Sequence, residues 1–109
     1  MANNYKNAKV DLTTTNLTTL YTCPSATTAI VKSILVSEDS GNADTLTVTL
    51  TDAASSPATF SLFKVKAVSA NGTVELLSAP LVVQEGEILK VQAATADRLH
   101  VVASFLETS

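Results

Sequence analysis

The side chains that most often carry catalysis or bind metals are scarce in this chain. Its 109 residues include one His, one Cys and no Trp. His100 has no G-x-S-x-G nucleophile motif to act with, and Cys23 and His100 are only two dispersed candidates where zinc needs at least three protein ligands. We therefore predict no catalytic and no metal-binding residues. His100 is expected on the polar face of a strand, and Cys23 as a small, largely buried apolar side chain.

Acidic residues are the other possible source of chemistry. The ten Asp and Glu residues lie mostly in predicted turns or at strand ends, where Asp caps backbone donors and Glu is solvated. Asp39, Asn42 and Asp44 share one loop, but their spacing lacks the glycine and glutamate positions of an EF-hand calcium loop. The three glycines are isolated turn residues, so no phosphate-binding loop is predicted. The sequence predicts no enzyme and no cofactor.

Composition excludes several functional classes. Hydrophobic residues make up 46% and charged residues 16%, against a usual charged share of about 25%, which argues against intrinsic disorder. No apolar run approaches the roughly 18 residues of a bilayer span. A net charge of −3 argues against a nucleic-acid partner. The first residues contain no apolar signal segment, so we expect assembly in a cytoplasm.

Hydrophobic residues that alternate with polar ones predict β-strands. In residues 45–51, three apolar residues alternate with four threonines, and only a strand gathers such a set on one face. Similar short segments follow one another with turn signals every eight to twelve residues and no helical stripe. We therefore predict an all-β fold, an antiparallel β-sandwich of seven to eight strands. Jelly-roll and immunoglobulin-like connections both remain open.

The chain is predicted to hold one domain preceded by a short arm. Residues 1–7 are polar and Asn-rich and are interpreted as an N-terminal arm. Residues 8–109 then form the single β-sandwich domain, which is the size of one hydrophobic core. Threonines such as those in residues 45–51 are expected to replace charged side chains at solvent-facing positions, a surface suited to packing against other copies or other proteins.

Two predicted strands carry more apolar residues than one buried face requires. Residues 28–38 have apolar side chains on both faces, and the second face of the last strand includes Val102 and Leu106. Either these are central strands covered on both sides, or their outer face is a subunit interface. Together with Tyr5 and Lys6 from the arm, Val102 and Leu106 are the candidate interface residues.

Six segments taken in order carry a resemblance to a known group of proteins. They are residues 12–15, 20–25, 27–34, 76–83, 85–91 and 101–107. In content and order they resemble small virion proteins of tailed bacteriophages, of the marine or cyanophage type, over nearly the whole chain. The resemblance implies a β-sandwich displayed on the virus particle and supplies no catalytic residues.

The leading functional expectation is a capsid decoration, or cement, protein. It would bind the outer surface of a phage head, at the virion surface, and stabilise junctions between capsomers by contacting the major capsid protein or another virion protein. Homo-oligomers are expected, with trimers favoured, and no nucleic-acid or membrane partner. The alternatives are a structural component of the tail, neck or fibre and, from a different class, a host-glycan binding module.

Overall fold

The computed structural model describes residues 3–109, which form nine β-strands joined by turns and loops. Their abundance of Thr and Val suits the pleated, half-buried surface of a sheet. The strands are β1 (Asn3–Asp11), β2 (Thr18–Thr22), β3 (Thr28–Glu38), β4 (Asp44–Thr51), β5 (Thr59–Val68), β6 (Thr73–Glu75), β7 (Leu81–Val83), β8 (Ile88–Ala93) and β9 (Leu99–Thr108). Within residues 3–109, no helix has the length and hydrophobicity needed to cross a membrane.

The strands form two antiparallel sheets that pack as a β-sandwich. Sheet A has the order β1-β9-β3-β6, with β7 also paired to β3, and sheet B has the order β2-β8-β4-β5. β6 and β7 pair with opposite halves of β3 and act as one strand with a break at residues 76–80. The break includes Pro80, which lacks a backbone donor. Counted this way, eight strands in two sheets follow the jelly-roll order. The predicted β-sandwich is confirmed, and its connections are of the jelly-roll kind.

The hydrophobic core lies between the two sheets. Alternate residues of β9 enter it, since Leu99, Val101, Ala103 and Phe105 are all buried. Each fully buried valine, leucine or phenylalanine contributes about 1.5–3 kcal/mol. Cys23 is also buried, as a free thiol, and this confirms its interpretation as a small apolar side chain.

The threonines of β4 are only partly exposed. Thr45 and Thr47 are half-buried on the outer face of sheet B, but Thr49 and Thr51 are buried. β4 is a central strand, so β5 and β8 cover its outer side chains from both sides, and Thr51 Oγ1 lies 3.2 Å from Thr59 Oγ1. The expectation that all these threonines replace surface charge is therefore correct only for the first half of the strand.

The predicted arm and domain boundary does not coincide with a break in the structure. Residues 1 and 2 lie outside the described residues. Residues 3–7 form the first part of β1 and pair with β9, from Asn3 opposite Thr108 to Asn7 opposite Ser104. β9 has ten residues and therefore supplies partners along the whole of β1, including the polar segment that the sequence separated from the domain.

Glu38, at the end of β3, is a buried carboxylate that holds two turns. It accepts hydrogen bonds from the backbone N–H and the hydroxyl of Ser40, and from the N–H groups of Gly41 and Asn71 at 3.0 Å each. Burial raises the pKa of Glu38, but these hydrogen bonds outweigh it and lower the pKa to about 2. The β3–β4 and β5–β6 turns are thus fixed by one charge.

β5 is an irregular edge strand of sheet B. Its register against β4 shifts twice, on either side of Val48, and Val65 has a φ of +54°. A β-branched residue in the left-handed region is strained. Val65 is held there by a hydrogen bond from its N–H to Thr47 Oγ1 at 3.1 Å.

Candidate interaction surface

The outer face of sheet A exposes a row of apolar side chains. Residues paired across antiparallel strands point to the same face. The register places Tyr5 beside Leu106, Leu106 beside Ile30, and Ile30 beside Val82. Tyr5 is 76% and Val82 51% exposed, while Leu106 and Ile30 are half-buried. These four residues, here called the apolar row, cross β1, β9, β3 and β7.

A second apolar group lies further along the same face. Val102 pairs with Leu35, which is 41% exposed, and Lys9 and Glu75 stand at the two ends of this line of residues. Exposed Ser104 separates Val102 from the apolar row along β9. The outer face of sheet A therefore presents two apolar groups with small polar side chains between them.

Lys32 projects over this face from a β-bulge. The register of β3 against β9 shifts between Val31 and Ser33, which leaves Lys32 as an extra residue without a partner on β9. Such bulges re-aim a side chain. Lys32 Nζ lies 5.3 Å from the centre of the Tyr5 ring, a distance typical of cation–π contacts. The bulge thus places a positive charge beside the apolar row.

The carboxylate of Glu75, on the same face, is already occupied by donors of its own chain. The Ser33 hydroxyl donates to Oε1, and the backbone N–H groups of Ile34 and Leu77 donate to Oε2 at 2.9 and 3.1 Å. Burial raises the pKa of Glu75, but the hydrogen bonds prevail and hold the pKa below its usual value. Glu75 fixes the junction between β3 and β6.

His100 lies at the far end of the outer face, between two carboxylates. Its Nε2 is 3.2 Å from Asp11 Oδ1, and its Nδ1 is 3.7 Å from Asp39 Oδ2. The two carboxylates face opposite nitrogens of the ring and so do not converge on one point. Across residues 3–109, no group of three or more His, Cys, Asp and Glu side chains is arranged to hold a metal ion. His100 lies on the outer side of its strand, as predicted, although that side also carries Val102 and Leu106.

Three of the four candidate interface residues share the outer face of sheet A. Tyr5 and Leu106 are neighbours in the apolar row, and Val102 belongs to the second apolar group. Lys6 does not join them, because successive residues of a strand point to opposite faces. Its Nζ instead lies 2.9 Å from Glu107 Oε1, on the inner side of sheet A.

Ile30, Leu35, Val82 and Lys32 belong to this surface but were not among the candidates. Ile30 and Leu35 could have been found, because they lie in the segment with apolar residues on both faces. Lys32 could also have been placed on this face, because it follows Ile30 by two residues in the same strand. Val82 requires the strand register, which no pattern in the sequence marks.

Lys6 belongs to a polar cluster that joins the two sheets. Glu107 is buried, with 7% of its surface exposed. Its carboxylate accepts a hydrogen bond from the Tyr21 hydroxyl at 2.5 Å and forms the ion pair with Lys6. The hydrogen bond from Tyr21, followed by the contact with Lys6, lowers the pKa of Glu107. The pKa of Tyr21 is raised, mainly by burial and then by its hydrogen bond to Glu107. The Tyr21 ring packs on Phe105 with 4.3 Å between ring centres. Tyr21 of sheet B is thereby tied to sheet A.

A separate apolar groove opens where the sheets part, between β5 and the break joining β6 to β7. It is a cavity of about 300 Å³, and its apolar lining includes Leu62, Phe63, Leu76, Leu77 and Leu81. The neighbouring edge strand β5 carries Lys64 and Lys66, and lysines on an edge discourage the addition of another strand. The lysines therefore argue against a further strand pairing with β5 beside the groove.

A scan against protein-family models gives no match, and a search of curated proteins finds no similar sequence. The class of protein is therefore defined by its fold and its exposed surface. The chain is a jelly-roll β-sandwich that exposes a mostly uncharged, partly apolar face on one of its two sheets.

Proposed function

We propose that the protein is a structural component of a tailed-phage virion, a capsid decoration protein that binds the outer surface of the head. The observation that carries this proposal is the apolar row Tyr5, Leu106, Ile30 and Val82 on the outer face of sheet A. A contiguous exposed apolar patch on a soluble domain is typical of a protein-binding surface.

The outer face of sheet A is large enough for a specific interface. Sheet A is four strands wide, with 9 to 11 residues in β1, β9 and β3 and with β6 and β7, of 3 residues each, sharing the fourth position. A spacing of about 4.8 Å between strands and about 3.4 Å per residue gives a face of at most roughly 19 by 34 Å. This is about 650 Å², close to the roughly 800 Å² that each partner buries in a standard interface. The face therefore supports binding to another protein without an added domain.

A jelly-roll domain with one such face suits a repeating shell. The sandwich is a rigid body, and many copies that each make a modest contact with the major capsid protein stabilise the shell together through multivalency. Copies at capsomer junctions would associate as homo-oligomers, with trimers matching three-fold positions. Jelly-roll sandwiches recur in viral capsid proteins, an analogy of fold that supports the proposal without deciding it.

The proposal is tested by adding the purified chain to expanded phage heads that lack it. We expect the chain to sediment with the heads and to saturate at hundreds of copies per particle. Failure to sediment with such heads would overturn the decoration role. A low copy number in intact virions, confined to a unique vertex, would instead assign the protein to the tail, neck or fibre.

Host-glycan binding is the second candidate, because jelly-roll sandwiches also occur in lectins. Sugar sites commonly stack rings on exposed aromatic side chains, and here Tyr5 and Phe60 are exposed but lie on different sheets. A glycan array distinguishes the two candidates. Reproducible binding to a defined set of glycans would support this one, and an array without hits would remove it.

A further inference from the structure

Two lysines on the outer face of sheet A lack an acidic partner among residues 3–109. The ion pairs in this part of the chain join Lys6 to Glu107 and place His100 between two aspartates. Lys9 Nζ instead donates to Asn7 Oδ1 at 3.3 Å, and Lys32 Nζ lies over an aromatic ring. Asp11 and Glu75 also lie on this face, but neither is in an ion pair with Lys9 or Lys32.

Lys32 is positioned for a contact with an anion from outside. The bulge in β3 lifts it out of the pairing with β9, and the Tyr5 ring supports its ammonium group. Lys32 itself lines a surface depression of about 330 Å³ at the edge of sheet A, whose other lining residues are Tyr5, Lys6, Asn7, Ser104 and Phe105. A carboxylate that enters this depression would meet the Lys32 ammonium while its neighbours cover the apolar row.

The acidic groups of the same face do not supply that carboxylate. Glu75 is held by three donors of its own chain, and Asp11 lies beside His100. A second copy laid face to face would bring two more lysines, and its carboxylates would come with contacts of their own, three hydrogen-bond donors at Glu75 and His100 at Asp11. Charge complementarity favours a different protein.

We infer that the outer face of sheet A docks onto a capsid protein surface that combines apolar side chains with its own Asp or Glu, and that this carboxylate pairs with Lys32. The inference rests on the proposed function and names the chemistry of the partner. The apolar row and the Val102–Leu35 pair supply the contact area on either side of the charge. Lys9, at the edge of the face, adds a weaker attraction.

The test compares variants in the same sedimentation assay with expanded heads that lack the protein. Lys32→Glu reverses the charge at the centre of the face, and Leu106→Asp places a charge in the apolar row. Each is expected to weaken binding at least tenfold. Lys64→Glu, on the exposed edge of sheet B, makes the same charge change away from this face and is expected to bind within twofold of the original chain. Thermal denaturation establishes that all three variants are folded.

Salt dependence and self-association complete the experiment. Lys32→Gln should bind more weakly than the original chain at low salt and should lose less affinity when salt is raised, because one ion pair is gone. If the original chain binds heads and Lys32→Glu binds equally well, the inference is overturned and the proposed function stands. If the original chain does not bind, both fall. If Leu106→Asp dissociates an oligomer of the isolated chain in analytical ultracentrifugation, the face holds a second copy and the inference is overturned.

Discussion

Replacing Tyr21 by Phe tests whether the polar cluster at the junction of the two sheets stabilises the fold. The substitution removes one hydroxyl and keeps the ring that packs on Phe105. The hydroxyl donates to Glu107 Oε2 at 2.5 Å. Its loss leaves a buried carboxylate with Lys6 alone, on a side chain that is about half exposed.

The expected cost follows from the kind of bond that is removed. A hydrogen bond to a charged, buried group contributes about 1.5–3 kcal/mol, so we expect Tyr21→Phe to lower the free energy of unfolding by about 2 kcal/mol. For a domain of about 100 residues, each kcal/mol shifts the melting temperature by about 4–8 °C. The melting temperature should therefore fall by roughly 10 °C.

Urea denaturation at a series of pH values gives a second signature. The pKa of Glu107 is lowered in the folded state, first by the Tyr21 hydrogen bond and then by Lys6. Its contribution is therefore fully present above the unfolded pKa of about 4.3 and is lost as pH falls through the lower folded value. Tyr21→Phe should show a smaller loss of stability over this acid range than the original chain.

The chain provides a matched control in its other tyrosine. Tyr5 is exposed, so Tyr5→Phe should change the free energy of unfolding by less than about 0.5 kcal/mol. In the double variant Tyr21→Phe with Glu107→Gln, the second change should cost less than it does alone, because the two groups are coupled. Equal stability of Tyr21→Phe and the original chain at pH 7, with the same acid profile, would refute the reasoning.

Three further predictions concern the turns and the edge strand. Glu38→Gln should destabilise the fold at pH 7. Urea midpoints should also show a smaller loss of stability than in the original chain as the pH falls from about 4.3 to about 2. An unchanged pH profile would contradict the role of Glu38. Gly86→Ala should lower the free energy of unfolding, measured by chemical denaturation, more than the control Gly41→Ala does. Both glycines have a positive φ, +80° at Gly86 and +85° at Gly41, and an alanine there is strained by about 1–2 kcal/mol. Only at Gly86 would the new Cβ also meet a neighbour, the Cβ of Ala53 at 3.0 Å. Val65→Asn should raise the free energy of unfolding by about 1 kcal/mol because Asn tolerates the left-handed region, and a loss of stability would show that Val65 is not strained.

The sequence predicts the fold class because its strands obey local rules. In β9, alternate apolar residues mark the buried face, and Val102 and Leu106 on the other face indicate a surface with more apolar side chains than a solvated strand needs. Two of the residues that define the candidate surface therefore come from periodicity alone.

The remaining features depend on pairing between distant segments. The burial of Thr49 and Thr51 follows from the central position of β4, which the local pattern does not contain. β6 and β7 form one interrupted strand because they share β3 as a partner. The same pairing with β3 places Val82 beside Ile30. Alternation with buried Ala29 and Val31 already places Lys32 on the outer face, but its lack of a partner on β9 arises from a single-residue shift of register that the sequence does not mark.

The position of β9 between β1 and β3 has a consequence for synthesis on the ribosome. Among residues 3–109, β1 pairs only with β9, and the closest paired residues, Asp11 and His100, are separated by 89 residues of translation, which is 100 minus 11. At roughly 5–20 residues per second, the nascent β1 waits on the order of 10 s for its partner. The β4–β5 hairpin, by contrast, forms from neighbouring segments.

During that delay β9, one of the two inner strands of sheet A, is missing, and β3 exposes an unpaired edge rich in apolar residues. Such edges promote aggregation. A premature stop before residue 99 would remove the centre of one sheet rather than a peripheral tail. Fragments that lack β9 should therefore accumulate as insoluble protein.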